Sequence, residues 1–222
     1  MKFLTNRLFF SGILLFFSGI AQAEVTDINR IFHQNPSLSQ FEICQGGGCY
    51  EDNKVNLSEA EWQPVATLFV PAPANAQAER EQIALAIGML EDIIGKKIGT
   101  SNDRAGTFDN SDYKGQQDCN DEAINSTTYM RLLKLNGLMQ LHEIEDMRTR
   151  NFFFTGWPHS TAVIRDIKTK ERFAVDSWFY DNGYAATIVP FAVWKANYKP
   201  ADSPIGKAKT SSTNIKKAHF NQ

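Results

Sequence analysis

The run Gln117-Asp118-Cys119-Asn120-Asp121-Glu122 is the feature that most constrains this chain. It ends a loop rich in glycine and polar residues and opens a helix, so it sets a cysteine sulfur at a helix N-terminus. Asp118 suits the N-cap, and Asp121, three residues on, makes a near capping box. Unpaired backbone N–H groups and the helix dipole at such a position favour negative charge, and therefore thiolate over thiol. Two later segments supply what the cysteine lacks: Trp157-Pro158-His159-Ser160-Thr161 and Val175-Asp176-Ser177-Trp178.

These two segments read as one hairpin. Residues 159–166 and 172–179 flank the polar turn Ile167-Lys168-Thr169-Lys170-Glu171. Antiparallel pairing about this turn brings residue 159, ten positions before its centre, close to residue 176, seven positions after it, and cross-strand neighbours on one face interact. The pattern therefore places His159 beside Asp176 on one sheet surface. A thiolate attacks an acyl or amide carbon, an imidazole shares its proton and returns it to the leaving group, and a carboxylate holds the imidazole in the useful tautomer. Cys119, His159 and Asp176 fill those roles. The Cys119 backbone N–H is the natural oxyanion donor, and the Gln117 or Gln116 side chain is a candidate second donor. His142, on an expected strand, is the reserve base; His33 and His219 sit in terminal regions.

The first 23 residues have the pattern of an export signal. Lys2 and Arg7 precede an apolar run from Leu8 to Ile20, and Ala21-Gln22-Ala23 is a small-x-small cleavage pattern. The run is short for a bilayer span, which needs ~20 residues. Cleavage would leave a periplasmic or secreted chain of 199 residues with no membrane span; the alternative is an uncleaved N-terminal anchor. Of the 23 basic residues two lie in the leader, so 21 remain against 25 acidic ones. No basic stripe interleaved with aromatics suggests nucleic acid.

Three cysteines remain in an oxidising setting, where an even subset pairs and an odd one is left over. Cys44 and Cys49 flank the flexible Gly46-Gly47-Gly48 tip, which favours a disulfide over two free or metal-binding thiols. Cys119 is then the free thiol.

Elsewhere the coarse pattern is clear. Asp27 to His33 reads as a short helix, and Leu57 onward as a helix start with Ser58 capping and Glu61 at the third position. Val65 to Val70 is a short apolar run. Asn75 to Ile94 is the clearest helix, with Ile83, Ile87, Leu90 and Ile94 in one stripe and Gly95 ending it. A helix from Cys119 to about Asn136 buries Ala123, Ile124, Met130, Leu132 and Leu133, and Gly137 closes it. Met139 to His142, continued less regularly by Ile144 and Met147, and Phe152 to Phe154 read as strands. Asp181-Asn182-Gly183 reads as a turn, Ala185 to Val189 as a last strand, and Pro190 to about Tyr198 as a short helix. The 17-residue loop from Gly99 to Gly115 is long for a compact domain. Asp103, Asp109 and Asp112 in it lack helix–loop–helix calcium spacing, and a solvated loop is the favoured reading. From Pro200 the composition is that of a disordered basic tail.

The stretch from about Gln116 to Gly183 resembles the core of the transglutaminase-like (papain-like) superfamily, with a cysteine opening the helix, a histidine starting one strand and an aspartate on the next, spaced by 40 and 17 residues. Within it the chain is similar to bacterial transglutaminase-like cysteine peptidases. Those carry Asp-Cys-acid-Asp at the helix start, and some bind calcium through the neighbouring acids; this chain has Asp118 but Asn120 at the acid's position. The resemblance implies an α+β fold with the nucleophile helix packed on an antiparallel sheet. Together with the leader, disulfide and tail readings above, this divides the chain into a leader (1–23), an N-terminal extension with a disulfide loop (24–74), a catalytic domain (75–199) and a tail (200–222). The implied activity is a periplasmic thiol hydrolase: a monomer, with no cofactor required, that cuts a peptide or amide bond in an envelope protein or peptide. Acyl transfer and a non-catalytic envelope-binding module are the alternatives.

Overall fold

The structure, a computed structural model, describes residues 28–108, 114–151 and 158–205. The expected leader, the Phe152–Phe154 strand, Trp157, Asp109, Asp112 and most of the expected tail lie outside these residues. A helical turn over 28–32 leads into an antiparallel hairpin of β1 (Phe41–Gln45) and β2 (Glu51–Val55). Helices α1 (Glu59–Thr67), α2 (Ala76–Ile98) and α3 (Cys119–Leu135) follow. An antiparallel sheet then runs β3 (His142–Arg150), β4 (His159–Asp166), β5 (Arg172–Asp176), β6 (Thr187–Pro190), in that spatial order, before the short α4 (Phe191–Lys195). The chain is α+β with antiparallel sheets, and α3 lies against β1, α2 and the four-stranded sheet.

Local chemistry sets the helix starts. Ser58 and Glu61 form a reciprocal capping box on α1, with the Ser58 N–H donating to Glu61 Oε2 at 2.7 Å. Asn75 caps α2 by accepting from the Ala78 N–H. The α2 stripe Ile83, Ile87, Leu90 and Ile94 is fully buried, each side chain contributing roughly 1.5–3 kcal/mol. It joins one continuous core with Phe41 and Ile43 of β1, Trp62 of α1, Met130 and Leu133 of α3, and Ile164 and Val175 of the sheet. The described part of 24–74 thus packs into the same core as the rest of the chain.

Gly95 does not end α2. The helix continues to Ile98, and Gly99, with φ of 87°, terminates it. Gly95 serves close packing: a Cβ there would lie 3.0 Å from the Ser101 nitrogen and 3.1 Å from Asn182 Nδ2. At Gly88, two turns earlier on α2, a Cβ would lie 2.5 Å from the Tyr184 carbonyl oxygen. The two glycines let the segment between β5 and β6 lie directly on α2.

Strand β3 begins at His142, later than expected. The buried Glu79 carboxylate takes the N–H groups of Gln140 (2.7 Å) and Leu141 (2.9 Å) and pins them to α2. Its Oε1 also lies 2.9 Å from His142 Nδ1, while Arg80 lies 3.1 Å from Nε2. Both ring nitrogens of the reserve base are therefore occupied by α2.

The β4–β5 hairpin forms around an Asp166 turn, whose Oδ1 accepts from the Lys168 and Thr169 N–H groups. Its register differs from the expected one. Ala162 pairs with Val175, which carries Thr161 opposite Asp176. His159 is two residues further along the same face, so it reaches Asp176 diagonally.

Because Gly88 faces backbone, which cannot swing aside, Gly88→Ala should destabilise the fold by about 1–3 kcal/mol despite its gain in helix propensity. Urea unfolding followed by circular dichroism measures this; a stabilised variant would refute the packing argument.

Candidate active site

Helix α3 begins as the sequence indicates. Asp118 Oδ1 accepts from the Asn120 and Asp121 N–H groups, both at 2.9 Å, and the Asp118 N–H donates back to Asp121 Oδ2 at 3.2 Å. Cys119, the first helical residue, is a free thiol 6% exposed, packed with Ala174, Trp178, Phe179 and Trp194. The backbone N–H of Ser160 and its own backbone N–H act on the sulfur to favour thiolate. Burial outweighs them, and with the Asp118 and Asp176 charges it pushes the thiol up to about 12. The expected thiolate is therefore a neutral thiol here: desolvation of the charged form exceeds what a helix terminus supplies.

His159 opens β4 and is 4% exposed. Its Nε2 lies 2.7 Å from Asp176 Oδ2. The same oxygen accepts from Trp194 Nε1 at 2.6 Å, a bond to a charged acceptor contributing about 1.5–3 kcal/mol. A carboxylate only accepts, so Nε2 carries the proton and Nδ1 the lone pair. Nδ1 is buried without a hydrogen-bond partner. The imidazole lies against Trp178, Phe179 and Trp194, with centroids 4.4, 5.6 and 5.7 Å away. The same three rings belong to the buried cluster that contains Cys119. Trp178 is held by its Nε1–H on the Thr107 carbonyl (2.9 Å) and meets Phe108 edge-on.

Two supporting residues are not marked in the sequence. Trp194 anchors Asp176. Arg150, paired with His159 across β3 and β4, donates to the Trp194 carbonyl and lies 4.6 Å over its ring. Neither falls on a periodic pattern; their roles appear only once α4 folds over the sheet.

Both candidate glutamines make hydrogen bonds from the loop before α3. Gln117 Nε2 donates to the Cys44 carbonyl at 2.9 Å, and its backbone N–H to Asp103 Oδ1 at 2.8 Å. Gln116 donates to the Asn102 carbonyl and accepts from the Arg104 N–H and the Thr107 hydroxyl. Both amides brace the loop before α3.

Asp103 is buried rather than part of a solvated loop. It faces Glu91 of α2 and Glu122 of α3, and burial followed by the neighbouring Glu122 charge pushes it up to about 9. Burial raises Glu91 and Glu122 as well. Ser177, next to Asp176, donates to Glu122 Oε2 and lies 3.2 Å from Ser126, while the Gly183 N–H donates to Glu91. Among the described residues no group of three or more His, Cys, Asp or Glu side chains is arranged to hold a metal ion. Nor, among them, is any helix long and apolar enough to cross a membrane. No family model, curated protein or solved structure matches the chain.

The buried acids give stability an unusual pH dependence. A raised folded pKa contributes stability that is present below the ordinary value near 4 and lost as pH rises through the folded value, about 7 for Asp121 and about 9 for Asp103. Glu61, lowered to about 2, and Glu79 and Asp166, also lowered, act oppositely, and their contribution is lost as pH falls below about 4. The melting temperature should therefore peak in mild acid and fall from pH 5 to pH 9. Glu91→Gln should raise it at pH 8 by about 2–4 °C per kcal/mol gained and change little at pH 5. Scanning calorimetry across that range tests both statements.

Proposed function

We propose that this protein is an exported cysteine hydrolase of papain/transglutaminase-like type, cutting a peptide or amide bond in a cell-envelope substrate. The observation that carries the reading is the His159–Asp176 pair with Nδ1 left unpartnered, packed against three rings of the buried cluster to which the free Cys119 belongs. The exported setting rests on the leader pattern and on the paired cysteines.

Because the resting thiol is neutral, its proton leaves as attack begins. The Cys119 Sγ–H proton passes to His159 Nδ1 while sulfur bonds to the substrate carbonyl carbon, and the oxygen takes the negative charge next to the Cys119 N–H. Asp176, fixed by Trp194, stabilises the imidazolium. Collapse of the adduct breaks the carbon–nitrogen bond, and Nδ1–H protonates the departing amine. Water then attacks the thioester, giving its proton to Nδ1, and the sulfur leaves with a proton as the acid departs. An amine in place of water gives acyl transfer by the same steps.

One observation favours a second reading. A thiol this buried, with its pKa this high, also suits a packing residue in a non-catalytic envelope-binding module.

Iodoacetamide at pH 7, read by intact mass, separates the two. Cys119 is the one thiol outside the disulfide. An enzyme should be labelled at Cys119, and His159→Ala should slow this at least roughly tenfold, below the 10²–10⁴-fold typical of general-base loss in turnover. An inert Cys119 supports the binding module. Mass changes of envelope peptides with and without a primary amine then separate hydrolysis from transfer.

A further inference from the structure

The hairpin loop that joins β1 to β2 reaches the start of α3. Cys44 and Cys49 are joined in a disulfide, closing the loop across a Cα–Cα distance of 4.6 Å. Gly46, Gly47, Gly48 and Cys49 all have positive φ, at 92°, 79°, 59° and 59°. Successive residues in such conformations turn their N–H groups toward one concavity, a backbone nest for anions. Here the acceptors are the carboxyl oxygens of the two capping-box residues, Asp118 and Asp121. The Gly47 N–H donates to Asp121 Oδ2 at 2.7 Å, the Cys49 N–H to Asp121 Oδ1 at 2.6 Å, and the Gly48 N–H to Asp118 Oδ2 at 3.0 Å. The Gly46 N–H donates to the Gln116 carbonyl.

The root of the loop is tied to the same helix. The Cys44 N–H donates to Asn125 Oδ1, and the Cys44 carbonyl accepts from Asn125 Nδ2, both at 2.8 Å, and from Gln117 Nε2. Asp118, Asp121 and Asn125 recur at helical spacing along one side of α3, so one short loop grips the residues that bracket Cys119. Three consecutive glycines lose much backbone entropy on ordering. A cross-link spanning them removes part of that cost from the unfolded chain.

We propose that the disulfide-closed loop Cys44–Cys49 is the positioning clamp of the Cys119 nucleophile: its nest of N–H groups grips Asp118 and Asp121 and so fixes the first turn of α3, and the sulfur with it, relative to His159. This rests on the cysteine-hydrolase reading. Cys44, Cys49, Asp118 and Asp121 are positioning residues that act through the helix start. The clamp matters because displacement of a nucleophile by an ångström costs about 10²-fold in rate.

The test is a coupling measurement on the full-length protein, with iodoacetamide alkylation of Cys119 at pH 7 as readout. Four proteins are compared: wild type, His159→Ala, Cys44→Ser/Cys49→Ser, and the triple variant. A staple that merely adds stability leaves the His159 effect unchanged in folded protein; a clamp makes that effect depend on the loop. The expected result is a His159 effect of at least tenfold with the loop closed and at most about twofold with it opened. An equal effect in both backgrounds overturns the proposal. Asp121→Asn, which keeps the disulfide and removes one acceptor oxygen, should fall between and decides the matter if the serine variant does not fold. If wild type shows no His159 effect, the hydrolase reading fails by itself. Amide hydrogen exchange at residues 120–122 then judges the clamp alone: faster exchange there in the serine variant, with α2 unchanged, supports it, and unchanged exchange overturns it.

Discussion

The structure depends on pairing the polar groups of one helix that water cannot reach. Ten consecutive residues of α3, Asp121 through Met130, are buried, and six of the first eight are polar. Each such group left unpaired costs about 1–3 kcal/mol. The fold answers from several directions. The hairpin loop takes Asp121, the β1 backbone takes Asn125, Ser177 takes Glu122 and Ser126, and Gln34 takes Thr128. The same demand bears on the candidate site, since the segment whose Ser177 satisfies Glu122 and Ser126 also carries Asp176 and Trp178.

The legible part of this architecture was the part written in local chemistry. Caps at Ser58, Asn75 and Asp118 are short-range hydrogen bonds between neighbours in the chain, so their residue types announce them. The apolar stripe of α2 and the polar turn at 167–171 are equally local. Gly95 misleads because a glycine that ends a helix and one that admits a neighbouring backbone look the same in sequence; only the arrival of Ser101 and Asn182 separates them. Met139 and Leu141 misleadingly alternate because Glu79, some sixty residues earlier, claims their segment.

At the site, residue types and spacing singled out Cys119, His159 and Asp176, and the chain brings the histidine and aspartate into a hydrogen bond. The diagonal register was not readable, since a hairpin's register is fixed by its turn to the residue while a sequence pattern locates it only approximately. A helix terminus is visible in sequence, but the burial that pushes the Cys119 thiol up is not. Likewise nothing local reveals that the Gln117 amide donates to the Cys44 carbonyl, more than seventy residues away in the chain.

The short span between the two paired cysteines bears on how the molecule assembles. They are five residues apart, whereas Cys119 lies 70 residues beyond Cys49. Closing the longer loop costs about 2 kcal/mol more in chain entropy. The short cross-link is thus favoured by chain entropy in the unfolded chain over either bridge to Cys119. The third sulfur is kept out of that competition by distance along the chain, then by enclosure among aromatic rings once folding is complete.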